Sequence, residues 1–153
     1  MSDNTLAKIE SLGLKLPVVP APIAAYVNYV RSGNLLFLSG GLPIDGDVKI
    51  LGKVPSACSV EQALEASRII ILNRLAVIKE AIGSLDNVKQ IVALNGFVNS
   101  DPDFYGHPAV INGASELLLE IFGERGKHSR TALGAAALPL NVSVEINLVV
   151  EVA

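Results

Sequence analysis

The sequence has no tryptophan and a single cysteine, and aromatic residues make up only 5% of it. Any core must therefore be aliphatic. The lone thiol, Cys58, excludes an intrachain disulfide, which suits a reducing cytosol. Basic runs are missing: 12 Lys and Arg stand against 15 Asp and Glu, a net charge of −3. That balance disfavours a broad nucleic-acid surface and an anionic membrane. Long apolar runs are missing as well. The longest uncharged stretches, Leu16 to Val30 and Thr131 to Val144, fall short of the ~18 apolar residues of a spanning helix, and both contain proline. Met1 to Glu10 lacks the basic and apolar segments of a signal peptide, so a cytoplasmic protein without membrane contact is expected.

What is present is aliphatic. Half of the 153 residues are hydrophobic and 18% are charged, with a mean hydropathy of +0.47. Disorder is excluded by this content, and the length fits one domain. The surplus of apolar side chains exceeds what a monomer of this size needs to bury.

The pattern along the chain gives an element order. Asn4 to Leu12 reads as a short helix ended by Gly13, within an N-terminal extension over 1–21. Pro17, Pro20 and Pro22 hold the next segment extended. Tyr26 to Arg31 and Leu35 to Ser39 read as a hairpin around Ser32-Gly33-Asn34, and Asp45 to Pro55 as a loop or peripheral strand. Ser59 and Gln62 form a capping box for a long helix with a stripe of Leu64, Ile71, Leu75, Ile78 and Ile82. Ile91 to Asn99 is apolar on both faces, as a doubly covered central strand would be. A second helix runs from about Pro108 to Phe122, with Val110, Ala114, Leu117 and Ile121 inward. Thr131 to Ala137 and Ser143 to Val152 close the chain as strands. The last alternates Val144, Ile146, Leu148, Val150 and Val152 against Ser143, Glu145, Asn147 and Glu151. This order predicts an α+β two-layer sandwich with two helices on one face of a mixed sheet. The other sheet face then needs a cover, most simply another copy of the chain.

Candidate chemistry is sparse. Arg130, at the start of a strand, can present a planar fork to a carboxylate; by position alone a surface arginine is the commoner reading. Glu145, on the polar face of the last strand, suits a general base acting on water, or a solvated strand position. The two could face one site if their strands are neighbours. Tyr26 and Asn112 can hydrogen-bond a small polar ligand, or serve as an amphipathic sheet residue and a polar helix position. Asp101, Asp103, His107 and His128 match no metal spacing, so no metal is expected. Cys58 reads as a small packing residue.

Several runs together resemble one family. These are Ala25-Tyr26-Val27, Gly33-Asn34-Leu35, Leu38-Ser39-Gly40-Gly41-Leu42-Pro43, Phe97-Val98-Asn99, Asp103-Phe104, Val110-Ile111-Asn112, Ser129-Arg130-Thr131, Leu138-Pro139 and Val144-Glu145-Ile146. In order and spacing the chain over 22–153 is similar to the Rid family, also called YjgF or reactive intermediate deaminase. The longer pieces around Asp101 and Leu140 resemble a less characterised branch. The resemblance implies a chorismate-mutase-like fold with a six-stranded mixed sheet and two long helices, assembled as a homotrimer with ligand clefts between subunits. It implies hydrolysis of small enamines and imines, of the 2-aminoacrylate type, to 2-oxo acid and ammonia without metal or organic cofactor. By position, Arg130 matches the carboxylate-gripping arginine and Glu145 the glutamate that positions water. Tyr26 and Asn112 match ligand-lining residues, and Ser39-Gly40 a backbone contact. Ala132 stands where many members have cysteine and keeps the main-chain carbonyl used there.

Three functions compete at this point. One is a deaminase of small 2-imino acids. Another is a non-enzymatic sensor that binds a 2-oxo or carboxylic acid and regulates a partner. Arg130 serves both, Glu145 only the first. RNA cleavage is a third, which the acidic balance disfavours.

Overall fold

The structure, a computed structural model, describes residues 2–153. Three helices, α1 (Asn4–Ser11), α2 (Val60–Ile82) and α3 (His107–Phe122), accompany seven strands. These are β1 (Tyr29–Ser32), β2 (Leu35–Leu38), β3 (Ile44–Asp45), β4 (Val48–Lys49), β5 (Val88–Asn99), β6 (Ser129–Ala135) and β7 (Val144–Val152). The main sheet runs β1-β2-β7-β5-β6, and β3-β4 form a separate ribbon. Only β5-β6 is parallel, so the sheet is mixed. The six strands expected in one sheet are thus five, with two more in the ribbon. Asp45 to Val48 folds on itself about Gly46, at φ 59°, and does not join the sheet edge.

Local chemistry sets these elements. Gly33, at φ 59° in a two-residue turn with Asn34, closes the β1-β2 hairpin. The first strand starts three residues later than expected, because Ile23 to Tyr26 bends before it. The α2 capping box is complete: Ser59 Oγ accepts from Gln62 N at 3.1 Å and Gln62 Oε1 from Ser59 N at 2.9 Å. Such a cap contributes about 1 kcal/mol. The N-terminal helix is tied to the body through Asp86, whose carboxylate accepts from Asn4 N, Thr5 N and Thr5 Oγ1. Those bonds hold the Asp86 carboxyl below the usual aspartate range. Ile9 then enters the core fully buried.

The core lies between the helices and one sheet face. Val144, Ile146, Leu148, Val150 and Val152 are all buried there, with Leu94 and Val98 of β5 and the whole α3 stripe. Each such side chain contributes about 1.5–3 kcal/mol on burial. The α2 stripe is wider than expected. Asn73, Arg74 and Val77 are buried with it, while Leu64 and Ile82 at its ends are only half covered. The middle of the helix is roofed by the segment after β2, whose Ser39 and Leu42 carbonyls accept from Arg74 and Asn73.

The second sheet face is bare in the single chain. Val30 is 57% exposed, Phe37 46% and Leu133 50%. The register puts these on one surface, since Val30 pairs with Phe37, Phe37 with Val149, and Phe97 with both Glu145 and Leu133. No helix of the described residues is long and apolar enough to cross a membrane.

Candidate active site

Glu145 follows from the alternation of β7. Its neighbours Val144 and Ile146 point to the helices, so its carboxylate emerges on the bare face, where β2 ends. There it lines a cavity of about 480 Å³ with Ile23, Ala24, Tyr26, Ser39, Gly40, Leu42 and Pro139. The wall is mostly apolar. Burial raises the Glu145 carboxyl above the usual glutamate range, and the Arg74 guanidinium offsets part of that rise. A half-buried carboxylate raised in this way is suited to take a proton from water.

The segment after β2 supplies the cavity floor. Ser39 is fixed twice, by Ser39 Oγ donating to Val27 O at 2.6 Å and by Ser39 N donating to Asn28 O at 2.9 Å. Gly40 lies against the carboxylate: a Cβ there would fall 2.8 Å from Glu145 Oε2. Arg74 lies on the other side of this segment, its Nη1 donating to Ser39 O at 2.8 Å. Tyr26 stands in the bend before β1, and its hydroxyl accepts a long bond from Ile23 N at 3.4 Å.

Arg130 and Asn112 form a second constellation. Arg130 Nη1 donates to Asn112 Oδ1 at 2.7 Å and to Ser115 Oγ at 3.3 Å. Ser115 is held in turn by His128. The His128 Nδ1 must donate to Gly126 O, 2.6 Å away, which leaves Nε2 to accept from Ser115 Oγ at 2.9 Å. Arg130 is exposed, so its remaining N–H groups face solvent in a held orientation. Ala132 follows two residues on, on the same side of β6, against the core edge.

The two constellations do not meet within one chain. Strands β6 and β7 are not neighbours, because β5 lies between them. Glu145 pairs with Phe97, whereas Arg130 pairs with Leu94. Two strand spacings across and three residues along separate them by about 14 Å between main chains. They also leave opposite faces, since Arg130 shares the helix side with buried Leu94. Tyr26, Ser39, Gly40 and Glu145 thus stand together in one group, and Asn112, Arg130 and Ala132 in another.

The remaining titratable candidates are spent elsewhere. Asp101 accepts from Ser56 N and Oγ, and His107 bonds Ser100. Among the described residues, no three His, Cys, Asp or Glu side chains gather as a metal site. Cys58 is buried, which pushes its thiol up. The residue that sequence reasoning missed is Arg74. Its signal was a charge three residues after Ile71 and four before Ile78, inside an apolar stripe.

Comparison with known proteins adds three findings. Residues 7–152 match the family model described as "YjgF/chorismate_mutase-like, putative endoribonuclease". The chain is 42% identical to protein TCP17 of Trypanosoma cruzi, over 98% of this chain and 95% of that protein. The crystal structure of Atu1372 from Agrobacterium tumefaciens, a protein of unknown function, superposes with a TM-score of 0.91 at 41% identity, over 97% of this chain and 92% of that one. A more distant relative, 26% identical over 90% of this chain and 93% of its own length, is a 2-iminobutanoate/2-iminopropanoate deaminase of Dermatophagoides farinae.

Proposed function

The chain belongs to the YjgF/chorismate mutase-like family, and from that premise we propose that it is a hydrolytic deaminase of small 2-imino acids and their enamines. The observation that carries this reading is the half-buried Glu145 carboxylate, raised by burial and set in an apolar cavity beside a fixed main-chain segment. The relative named as an imine deaminase supports it.

The reaction needs little covalent help. The carbon of a protonated imine is already electrophilic, so orientation and a positioned water suffice. Arg130, steadied by Asn112 and Ser115, grips the substrate carboxylate with its free N–H groups. Glu145 accepts a proton as water adds to the imine carbon. The resulting carbinolamine takes that proton on nitrogen, its C–N bond breaks as the Glu145 carboxylate takes the hydroxyl proton, and ammonia leaves with the 2-oxo acid behind. An enamine enters this sequence after protonation on its terminal carbon.

The two groups of one chain are separate, so the working cleft joins Arg130 of one copy to Glu145 of another in a homotrimer. The bare face of Val30, Phe37 and Leu133 supports such an assembly. The net charge of −3 argues against an RNA surface, while Arg130 supplies a local cation for a small anion.

The test couples a threonine dehydratase to this protein and follows release of 2-oxobutyrate. Acceleration by the wild type, lost in Glu145→Gln and in Arg130→Ala, is the expected result. Binding of 2-oxobutyrate without any acceleration would replace the enzyme by a carboxylate sensor.

A further inference from the structure

We propose that the cavity beneath Arg74 receives a second acidic group of the substrate, which makes 2-imino dicarboxylic acids the preferred class. This rests on the deaminase reading and adds to it a specificity residue.

Arg74 lies on α2 with 3% of its surface exposed. An arginine carries five N–H donors in a rigid fork. Here one bond is made, from Nη1 to Ser39 O; Nε is buried without any acceptor beneath Gly41, whose Cβ would lie 2.7 Å from it, so Nη2 is the donor left for a ligand. The only ion pairs among the described residues are Arg68–Glu65 and Lys127–Glu124, so Arg74 has no carboxylate in direct contact. Taking a guanidinium out of water is costly unless its donors are met. Packing does not require a cation at this point, because Ile70, Ile71 and Leu75 around it are aliphatic.

The side chain borders a cavity of about 180 Å³, more enclosed than the Glu145 cleft and walled by Asn28, Ile44 and Asn73. The two asparagine amides hold walls and leave the cation as the binding group. Asn73 Nδ2 donates to Leu42 O and Ile44 O, and Asn28 Nδ2 to Pro20 O. Tyr26, Gly40 and Leu42 line both cavities, so the two spaces adjoin. A substrate whose reacting carbon lies at Glu145 would reach this second space by extending a side chain past Ile23 and Tyr26, which line both. A side chain ending in carboxylate can accept a charge-assisted bond from that Nη2. A methyl or ethyl group leaves it unmet.

The experiment compares two imines made in situ by amino-acid oxidases: 2-iminosuccinate from D-aspartate and 2-iminopropanoate from D-alanine. Semicarbazide traps surviving imine, and the fall in trapped product gives kcat/KM. The wild type is expected to favour the dicarboxylate by about tenfold or more, the scale of one well-made bond to a charged group. Arg74→Met should collapse that ratio to near one, and Arg74→Lys should restore part of it. A wild-type ratio at or below one, or an equal loss on both imines in Arg74→Met, overturns the proposal. Calorimetry on the wild type needs neither variant nor turnover: 2-oxoglutarate should bind more tightly than 2-oxobutyrate, and equal affinity would also overturn it. Failure of the deaminase reading looks different, since neither imine would then be hydrolysed faster than in buffer.

Discussion

Gly40→Ala is a one-carbon perturbation aimed at the Glu145 carboxylate. The added Cβ would lie 2.8 Å from Glu145 Oε2, 2.9 Å from Cδ and 3.1 Å from Cγ. Unstrained contacts lie near 3.5–4.0 Å, so the carboxyl must retreat by about 0.5–1 Å. All three clashes are with the far end of one flexible side chain, which can swing away. Gly40 is not in a left-handed conformation, so alanine fits its backbone and even gains about 0.4–1 kcal/mol from a less free unfolded chain. Stability is therefore held while the base is displaced. A misplacement of about 1 Å costs on the order of a hundredfold in rate. We expect kcat for imine hydrolysis to fall about 10- to 100-fold, with KM changing less because Arg130 is untouched. The urea midpoint should stay or rise slightly. The double variant Gly40→Ala, Glu145→Gln should lose no more than Glu145→Gln alone, since both act on one group. A Gly40→Ala enzyme at full rate, or losses that multiply in the double variant, would refute the placement of the water-activating carboxylate.

Two further outcomes follow from the same geometry. Glu145 must be ionised to accept a proton, and burial raises its carboxyl, so the rate should climb with pH through a midpoint above the ~4.3 of free glutamate; Glu145→Gln should flatten that limb. Because the folded-state value is raised, the protonated group favours folding below the unfolded pKa, and that contribution is lost as pH rises through the folded one. Glu145→Gln should then melt slightly higher than wild type at neutral pH and not at pH 4, and a lower melt at neutral pH would contradict the desolvated carboxylate. For assembly, sedimentation equilibrium at micromolar concentration should give three copies, and Leu133→Glu, a charge on the bare face, should give one copy without deaminase activity. A wild-type monomer with full activity would refute the shared cleft.

Most of the fold was legible because its signals are local. The Ser59 and Gln62 capping box, the Val110 to Ile121 stripe and the β7 alternation each follow from short-range periodicity, and each is found in place. Strand order was not legible. Arg130 and Glu145 stand on consecutive strands in sequence, yet β5 intervenes, because its parallel pairing with β6 is a long-range event that no local pattern encodes. The site divides the same way. Its residues could be matched one by one, but only the register shows that Arg130 and Glu145 leave opposite faces. Arg74 is the instructive omission. The spacing of Ile71, Leu75 and Ile78 marks an apolar stripe, and no local pattern marks the arginine among them as buried. A charge on the buried face of a helix is costly to keep, so it marks a place where packing alone does not decide the residue. In this chain that place borders the cavity next to Glu145, where the proposed preference for a second carboxylate would act.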